Sequence, residues 1–273
     1  MSDHDSREIM ARIQAALAAA VEAIRPFVPG RVAADQKSGG RGPVTLADTA
    51  ADKVLHEILL RDGEGWLSEE SADDFSRLSI GRVWVVDPLD GTKEFVEGIP
   101  EWSISVGLVE DGRPIAGGIC NPATNETFLG SRETGVTLNG CQVGMGTRTK
   151  LAGATVLASR SEIRRGEWKT FENDGFQITP VGSVAYKFAM VAGGLADATW
   201  TLCPKNEWDV AAGVALVEAG GGIVRTIEDQ PVLFNRKTTL YPGLVACGAG
   251  LFPEVQSHLK LPIKTPESVN HRQ

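Results

Sequence analysis

Val83-Trp84-Val85-Val86-Asp87-Pro88-Leu89-Asp90-Gly91-Thr92-Lys93-Glu94-Phe95 is the stretch on which the reading of this chain turns. Its first four residues are apolar and mostly β-branched, and Pro88 and Gly91 punctuate the remainder. Val83–Val86 therefore reads as a buried strand running into a tight turn. The turn carries two carboxylates, Asp87 and Asp90. Acids held together away from water repel each other, and their charged forms need a positive partner. A divalent cation is one such partner, and hard oxygen ligands suit magnesium. A basic side chain, Lys53 or an arginine, is the other. From Thr92 to Val96 the chain reads as a short helix whose first N–H groups face back toward the turn. Gly91 lets the backbone approach a ligand closely.

Working upstream, Trp66-Leu67-Ser68-Glu69-Glu70-Ser71 reads as a second short strand ending in acids. Paired acids of this kind often form a solvated corner. If this strand lies beside Val83–Val86, however, the two sets of acids meet. Val44-Thr45-Leu46-Ala47-Asp48 opens a helix to about Leu60, with Thr45 or Asp48 as its cap. An acid in a first helical turn is favoured in any case. Farther back, Ile9, Ile13, Leu17, Val21 and Ile24 recur at three- and four-residue spacing, which makes an amphipathic helix ending before Pro26. Lys37-Ser38-Gly39-Gly40-Arg41-Gly42-Pro43 is expected to be a basic, flexible loop.

Working downstream, Trp102 to Val109 alternates as a half-buried strand does, and Glu110-Asp111-Gly112-Arg113-Pro114 is a hairpin turn. Ile115–Cys120, Glu126–Leu129 and Gly135–Leu138 continue as strands, with a further hairpin at Asn139-Gly140. The middle of the chain is thus antiparallel β. A glycine-rich joint, Gly144-Met145-Gly146-Thr147, suggests a division into an α+β part, residues 1–145, and an α/β part, residues 146–273. The second part alternates: strand Thr155–Ala158, helix Ile163–Phe171, strand Phe176–Pro180, helix Ser183–Gly193, strand Asp197–Leu202. A helix opening at Trp208-Asp209 stops at Gly220, as helix C-termini do. Strands Gly221–Val224 and Leu244–Cys247 and a helix Pro253–Leu259 complete an α/β pattern. Asp209 at its helix start also suits a cap. Lys187 is expected on a solvated polar face, and Trp208 in the core.

Composition narrows the function classes. The chain has 273 residues, 42% hydrophobic and 23% charged, with a net charge of −8, as in an ordinary globular protein. Arg164-Arg165 is too short a basic cluster for a nucleic-acid track. No apolar run approaches the roughly 20 residues of a membrane helix, and the polar MSDHDSREIM start does not read as a signal peptide. Four cysteines without CxxC spacing read as small buried residues in a reducing cytoplasm. Four unclustered histidines give little support to a zinc site or a Ser-His-Asp triad. The glycine clusters do not follow a strand–GxGxxG–helix order, so dinucleotide binding is weakly supported.

Taken together, Asp87-Pro88-Leu89-Asp90-Gly91-Thr92, Glu69-Glu70-Ser71, Val44-Thr45-Leu46-Ala47-Asp48 and Trp208-Asp209-Val210-Ala211-Ala212-Gly213 with Glu218-Ala219-Gly220-Gly221 resemble the inositol monophosphatase superfamily. That superfamily includes 3'(2'),5'-bisphosphate nucleotidases and fructose-1,6-bisphosphatases. The resemblance spans nearly the whole chain and implies a layered αβαβα sandwich and two or three magnesium ions. By resemblance, Glu69, Asp87 and the Leu89 carbonyl hold the first ion, Asp87, Asp90 and Asp209 the second, and a weaker third lies near Glu69 and Asp48. Asp48 and Thr92 polarise the attacking water, and the Gly91 and Thr92 N–H groups cradle the phosphate. The implied activity is metal-assisted hydrolysis of inositol monophosphate or a related small phosphate monoester, sensitive to lithium, by a homodimer.

The substrate is less narrowly implied. Lys93-Glu94-Phe95, Ser159-Arg160-Ser161, Gly182-Ser183 and Lys187-Phe188 look like the bisphosphate nucleotidase branch, which makes Ser183 and Lys187 candidate substrate contacts. Leu202-Cys203-Pro204-Lys205-Asn206-Glu207 departs from that branch. Glu207 or Lys205 is there a candidate contact for a polyol hydroxyl, or part of a surface loop. Fructose-bisphosphatase is disfavoured by chain length. A non-catalytic regulatory protein of the same fold is the remaining alternative.

Overall fold

The computed structural model describes residues 3–36 and 43–260; the basic loop at Lys37–Gly42 lies outside them. Helix α1 (Asp3–Ile24) follows the predicted stripe and buries Ile9, Ile13, Leu17 and Ile24. A short antiparallel pair, β1 (Asp35–Gln36) and β2 (Pro43–Val44), leads into helix α2 (Leu46–Leu59). Next come β3 (Gly65–Ser68), β4 (Arg82–Asp90), helix α3 (Thr92–Glu97), β5 (Ser103–Glu110), β6 (Arg113–Asn121), β7 (Glu126–Ser131), β8 (Gly135–Leu138) and β9 (Cys141–Val143). Among the described residues β3 to β9 form one sheet in sequence order, antiparallel throughout except for the parallel pair β3–β4. Both predicted hairpins hold. Asp111-Gly112 (φ 47° and 76°) and Asn139-Gly140 (φ 50° and 80°) take the left-handed backbone that a tight two-residue turn requires.

The chain crosses from this sheet to the next between Val143 and Thr155, the interval containing the expected division. The second half comprises β10 (Thr155–Ser159), α4 (Arg160–Arg164), β11 (Gln177–Val181), α5 (Val184–Ala192), β12 (Ala198–Trp200), β13 (Lys205–Asn206), α6 (Glu207–Ala219), β14 (Gly222–Thr226), β15 (Leu240–Tyr241), β16 (Leu244–Gly248) and α7 (Phe252–His258). Strands β11-β10-β12-β16-β14 form a mixed sheet in that order, and β13 pairs with β15. The helix expected over Ile163–Phe171 is instead α4 followed by a short 3-10 turn at Lys169–Phe171. Gly166 between them sits at φ 80°, which no continuous helix accommodates. The strand expected over Asp197–Leu202 is confined to β12. The cysteines divide: Cys120 and Cys247 are buried, Cys203 is half-buried, and Cys141 on β9 is exposed, correcting the expectation that all four are interior.

Three apolar clusters fill the four interfaces of five layers, the middle cluster lying on both faces of α5 and α6. Helices α1 and α2 cover one face of the first sheet, packing Ile13, Leu17 and Leu55 against Trp84 and Val106. Helices α5 and α6 fill the space between the sheets, where Phe188 and Val214 meet Val85, Ile119 and Ala246. Trp168 and Val255 of α7 cover the outer face of the second sheet at Val156 and Trp200. The result is the αβαβα sandwich. Helix α6 lies unusually close to the first sheet. Gly107 and Gly117, partners across β5 and β6, face its backbone, and a Cβ at Gly117 would sit 2.5 Å from the Ala212 carbonyl oxygen.

Candidate active site

Parallel pairing of β3 with β4 sets Ser68 opposite Val86, so the next residues along, Glu69 and Asp87, leave the sheet side by side. The Glu69 N–H donates to the Val86 carbonyl at 3.3 Å, which extends the pairing to the acids themselves. The β4–β5 ladder then breaks between Asp87 and Asp90, where Pro88 has no N–H to offer. The Leu89 N–H turns back to Asp87 Oδ1 at 3.0 Å and fixes that carboxylate. From the other half of the chain, Asp209 enters on the first turn of α6, held by the Asn206 N–H at 2.8 Å. One carboxylate oxygen each from Glu69, Asp87 and Asp209 lie within 4.8 Å of one another.

Asp90, the other acid of the turn, is not among these three, though its charge acts on Asp209. Its Oδ2 accepts from the Ser183 hydroxyl and the Ala185 N–H, both at 2.6 Å. Ser183 caps α5, is 1% exposed and also meets the Ser103 hydroxyl. The structure therefore places Ser183 behind Asp90 as its anchor. Burial raises the Asp90 carboxyl above its ordinary range, against the hydrogen bonds from Ser183 and Ala185 and the charges of Lys187 and Lys205. Burial, then the Asp90 and Glu69 charges, push Asp209 up to about 8. Lys53, the lysine named as an alternative counter-charge, is exposed on α2; the lysines whose charge acts on Asp90 are Lys187 and Lys205. Crowded hard oxygens of this kind fit a hard divalent cation.

Beside the cluster lies a second arrangement. Asp48 is 1% exposed and uses its two oxygens differently. Oδ2 accepts from the Thr45 N–H (2.8 Å) and hydroxyl (2.7 Å) as half of a capping box. Oδ1 accepts from the Thr92 hydroxyl at 3.1 Å, which also lies 3.0 Å from the Leu89 carbonyl. The residue is thus both the first-turn acid that helix chemistry favours and a partner of the turn. Gly91 caps α3 at φ 95°, and a Cβ there would meet the Glu101 carbonyl at 3.0 Å.

Two residues named as candidate substrate contacts are buried with partners of their own. Lys187, expected as a solvated lysine, is fully buried, because the bend from β11 into α5 leaves the Val181, Gly182 and Ser183 carbonyls pointing inward. Its ammonium donates to all three, at 3.2, 2.8 and 3.0 Å, and burial lowers it to about 8. Glu207, a candidate surface-loop residue, is 0% exposed. Its oxygens accept from the Asn235 and Arg236 N–H groups (2.8 and 3.1 Å) and Arg236 Nε (3.2 Å), pinning the chain before β15. Asp52 belongs to none of the sequence motifs, yet it takes the Ser68 and Ser71 hydroxyls at 2.6 and 2.8 Å and braces the segment carrying Glu69 and Glu70. Its spacing of four from Asp48 on one helix face is the signal that could have found it.

A pocket of about 600 Å3 opens beside Glu69, lined by Glu70, Phe75, Trp208 and Lys237 among others. A larger groove of about 720 Å3 runs between α1 and the β6–β8 strands and includes none of the clustered carboxylates.

Comparison with known proteins identifies the fold and the family. The sequence model of the inositol monophosphatase family matches residues 5–259. The chain is 32% identical over 194 residues to the inositol-1-monophosphatase of Rhizobium meliloti (strain 1021), covering 67% of this chain and 72% of that protein. It is 32% identical over 207 residues to the 3'(2'),5'-bisphosphate nucleotidase CysQ of Escherichia coli (strain K12), covering 74% and 83%. Among solved structures, the IMPase of Thermotoga maritima superposes with a TM-score of 0.79 at 25% identity, covering 95% of this chain and 97% of that one. The stretch from α1 to α7, with the converging acids inside it, belongs to a member of the inositol monophosphatase family.

Proposed function

We propose that the chain is a magnesium-dependent phosphatase that hydrolyses inositol monophosphate or a related small phosphate monoester. The observation that carries this reading is the convergence of Glu69, Asp87 and Asp209 within 4.8 Å, with the Asp48–Thr92 pair beside them. Glu69, Asp87, the Leu89 carbonyl, Asp90 and Asp209 would hold two to three ions. When bound, magnesium offsets the charge of a phosphate dianion and supports the departing oxygen. Thr92 has a single hydroxyl proton to give. Donated to Asp48 Oδ1, it leaves the Thr92 oxygen free to accept from a water, so the water's proton has a defined route to Thr92 and Asp48. Asp48 cannot swing away, because Thr45 holds its other oxygen. The Gly91 and Thr92 N–H groups are offered to the phosphate at the turn. No nucleophilic side chain is required, since phosphoryl transfer depends on position and charge.

A second substrate reading, a 3'(2'),5'-bisphosphate nucleotidase, is supported by the 32% identity to CysQ. A homodimer in the cytoplasm completes the proposal; the buried free thiols Cys120 and Cys247 suit a reducing compartment. Among the described residues no helix is long and apolar enough to cross a membrane.

The test is phosphate release from inositol 1-phosphate and adenosine 3',5'-bisphosphate with and without magnesium. We expect metal-dependent turnover that Asp87→Asn removes. Absence of metal-dependent release from these and other small phosphate esters would overturn the activity, and full activity in Asp87→Asn would overturn the assigned ligands.

A further inference from the structure

Asp52 is bonded to the chain on both sides of Glu69. Helix α2 carries Asp48, Asp52 and His56 at four-residue spacing, so the three side chains share one face. Each meets a different part of the frame around the acids. Asp48 takes the Thr92 hydroxyl of the turn at 3.1 Å. Asp52 Oδ1 takes the Ser68 hydroxyl at 2.6 Å, and Oδ2 takes the Ser71 hydroxyl at 2.8 Å. The His56 ring stands edge-on to Trp66 of β3, with centroids 4.9 Å apart. One rigid helix thus ties the water-side pair to the segment that carries Glu69.

Glu69 sits where the sheet no longer fixes the chain. Strand β3 ends at Ser68, and residues 69–71 form a bend. The Glu69 N–H reaches the Val86 carbonyl at 3.3 Å, beyond the usual range for such a bond. Each flanking serine has one hydroxyl proton, and both protons go to Asp52. Their oxygens then accept from the Glu70 N–H at 3.2 Å and from Trp66 Nε1 at 3.3 Å. Hydroxyl-to-carboxylate bonds are the stronger kind. Residues 68–71 therefore close over a single carboxylate, with Glu69 and Glu70 inside the loop. This restraint has something to oppose. Glu69 comes within 4.8 Å of Asp87 and Asp209, and crowded carboxylates repel one another.

We propose that Asp52 is a positioning residue. Acting through Ser68 and Ser71, it holds Glu69 beside Asp87 and so sets the affinity of the acid cluster for its cation. This rests on the proposed magnesium site and adds to it a residue whose two oxygens are committed to serines.

The experiment is calorimetry with magnesium alone, beside phosphate release at graded magnesium. Asp52→Asn keeps the shape and removes one acceptor. It should raise the magnesium Kd about 10- to 100-fold, as loss of a partner behind a ligand does. The magnesium needed for half-maximal release should rise equally, while kcat at saturating magnesium stays within about threefold of wild type. Ser68→Ala combined with Ser71→Ala should reproduce the loss, and adding Asp52→Asn to that pair should weaken binding no further. The cycle separates positioning from a plain loss of negative charge, which would weaken binding in the serine background as well. An unchanged Kd in Asp52→Asn, additive losses in the cycle, or a kcat that stays low at saturating magnesium would overturn the proposal. Wild type that binds magnesium but releases no phosphate from small esters would refute the phosphatase reading alone, and the calorimetric cycle would then decide the role of Asp52. Wild type that binds no magnesium would overturn the proposal together with the assigned ligands.

Discussion

Gly117→Ala tests whether the first sheet positions Asp209 through α6. The Cβ it introduces would stand 2.5 Å from the Ala212 carbonyl oxygen and 3.0 Å from the Ala212 Cα, both backbone atoms. Ordinary contact begins at about 3.5 Å. The helix must therefore lift, or β6 must bend, by about 1 Å. Overpacking of this kind costs about 1–3 kcal/mol. Asp209 lies on the same helix, three residues before Ala212, and moves with it. If Asp209 holds a metal ion as proposed, a displacement of about 1 Å should lower kcat/KM on the order of 100-fold. Urea unfolding gives the first quantity and magnesium-dependent phosphate release the second. Gly144→Ala is the control: nothing lies within 4 Å of a Cβ there, and both quantities should stay near wild type. Native stability and turnover in Gly117→Ala would refute the close-approach argument. Lost stability with intact turnover would refute the link from the sheet to Asp209.

Two more outcomes are expected from the same geometry. In chelator, Asp209 titrates near 8 in the folded chain against an ordinary 3.8, so the folded state keeps a proton that the unfolded state has released. This group's contribution to stability therefore falls as pH rises from 3.8 to 8 and is constant above that. Urea midpoints of wild type should drop relative to Asp209→Asn across this window; parallel curves would refute the raised carboxyl. Thr92→Val keeps the shape but removes the hydroxyl between Asp48 and Leu89. Stability should change by about 1 kcal/mol and kcat should fall about 100- to 10,000-fold. A kcat within threefold of wild type would exclude Thr92 from the proton route.

The turn from Asp87 to Thr92 is legible in the sequence because its meaning is local: a strand ends, proline interrupts the ladder, and glycine supplies the positive φ. The hairpins at Asp111-Gly112 and Asn139-Gly140 are legible for the same reason. The meeting of Glu69 with Asp87 requires only that two acid-tipped strands lie parallel, which they do. The illegible parts are decided by distant partners. Lys187 looks like a surface residue until the β11–α5 bend turns three carbonyls toward it. Glu207 looks like loop until the chain at Asn235 and Arg236 folds back over it. The lysines whose charge acts on Asp90, Lys187 and Lys205, arrive from the other half of the chain, which the residues around the turn do not reveal. A continuous helix over Ile163–Phe171 satisfies the apolar spacing but not Gly166, and the backbone obeys the glycine.

The divided use of Asp48 limits which sequences can occupy that position. Its Oδ2 closes the α2 capping box with Thr45 while Oδ1 meets Thr92. Glutamate is a common partner in such boxes and would satisfy the helix equally well. Its extra methylene, however, would displace the second oxygen from Thr92. Selection for helix stability alone would therefore treat the two acids as interchangeable, and selection for the proposed proton route would not. On that proposed route, the helix start is a place where a substitution can be silent in folding and still remove turnover.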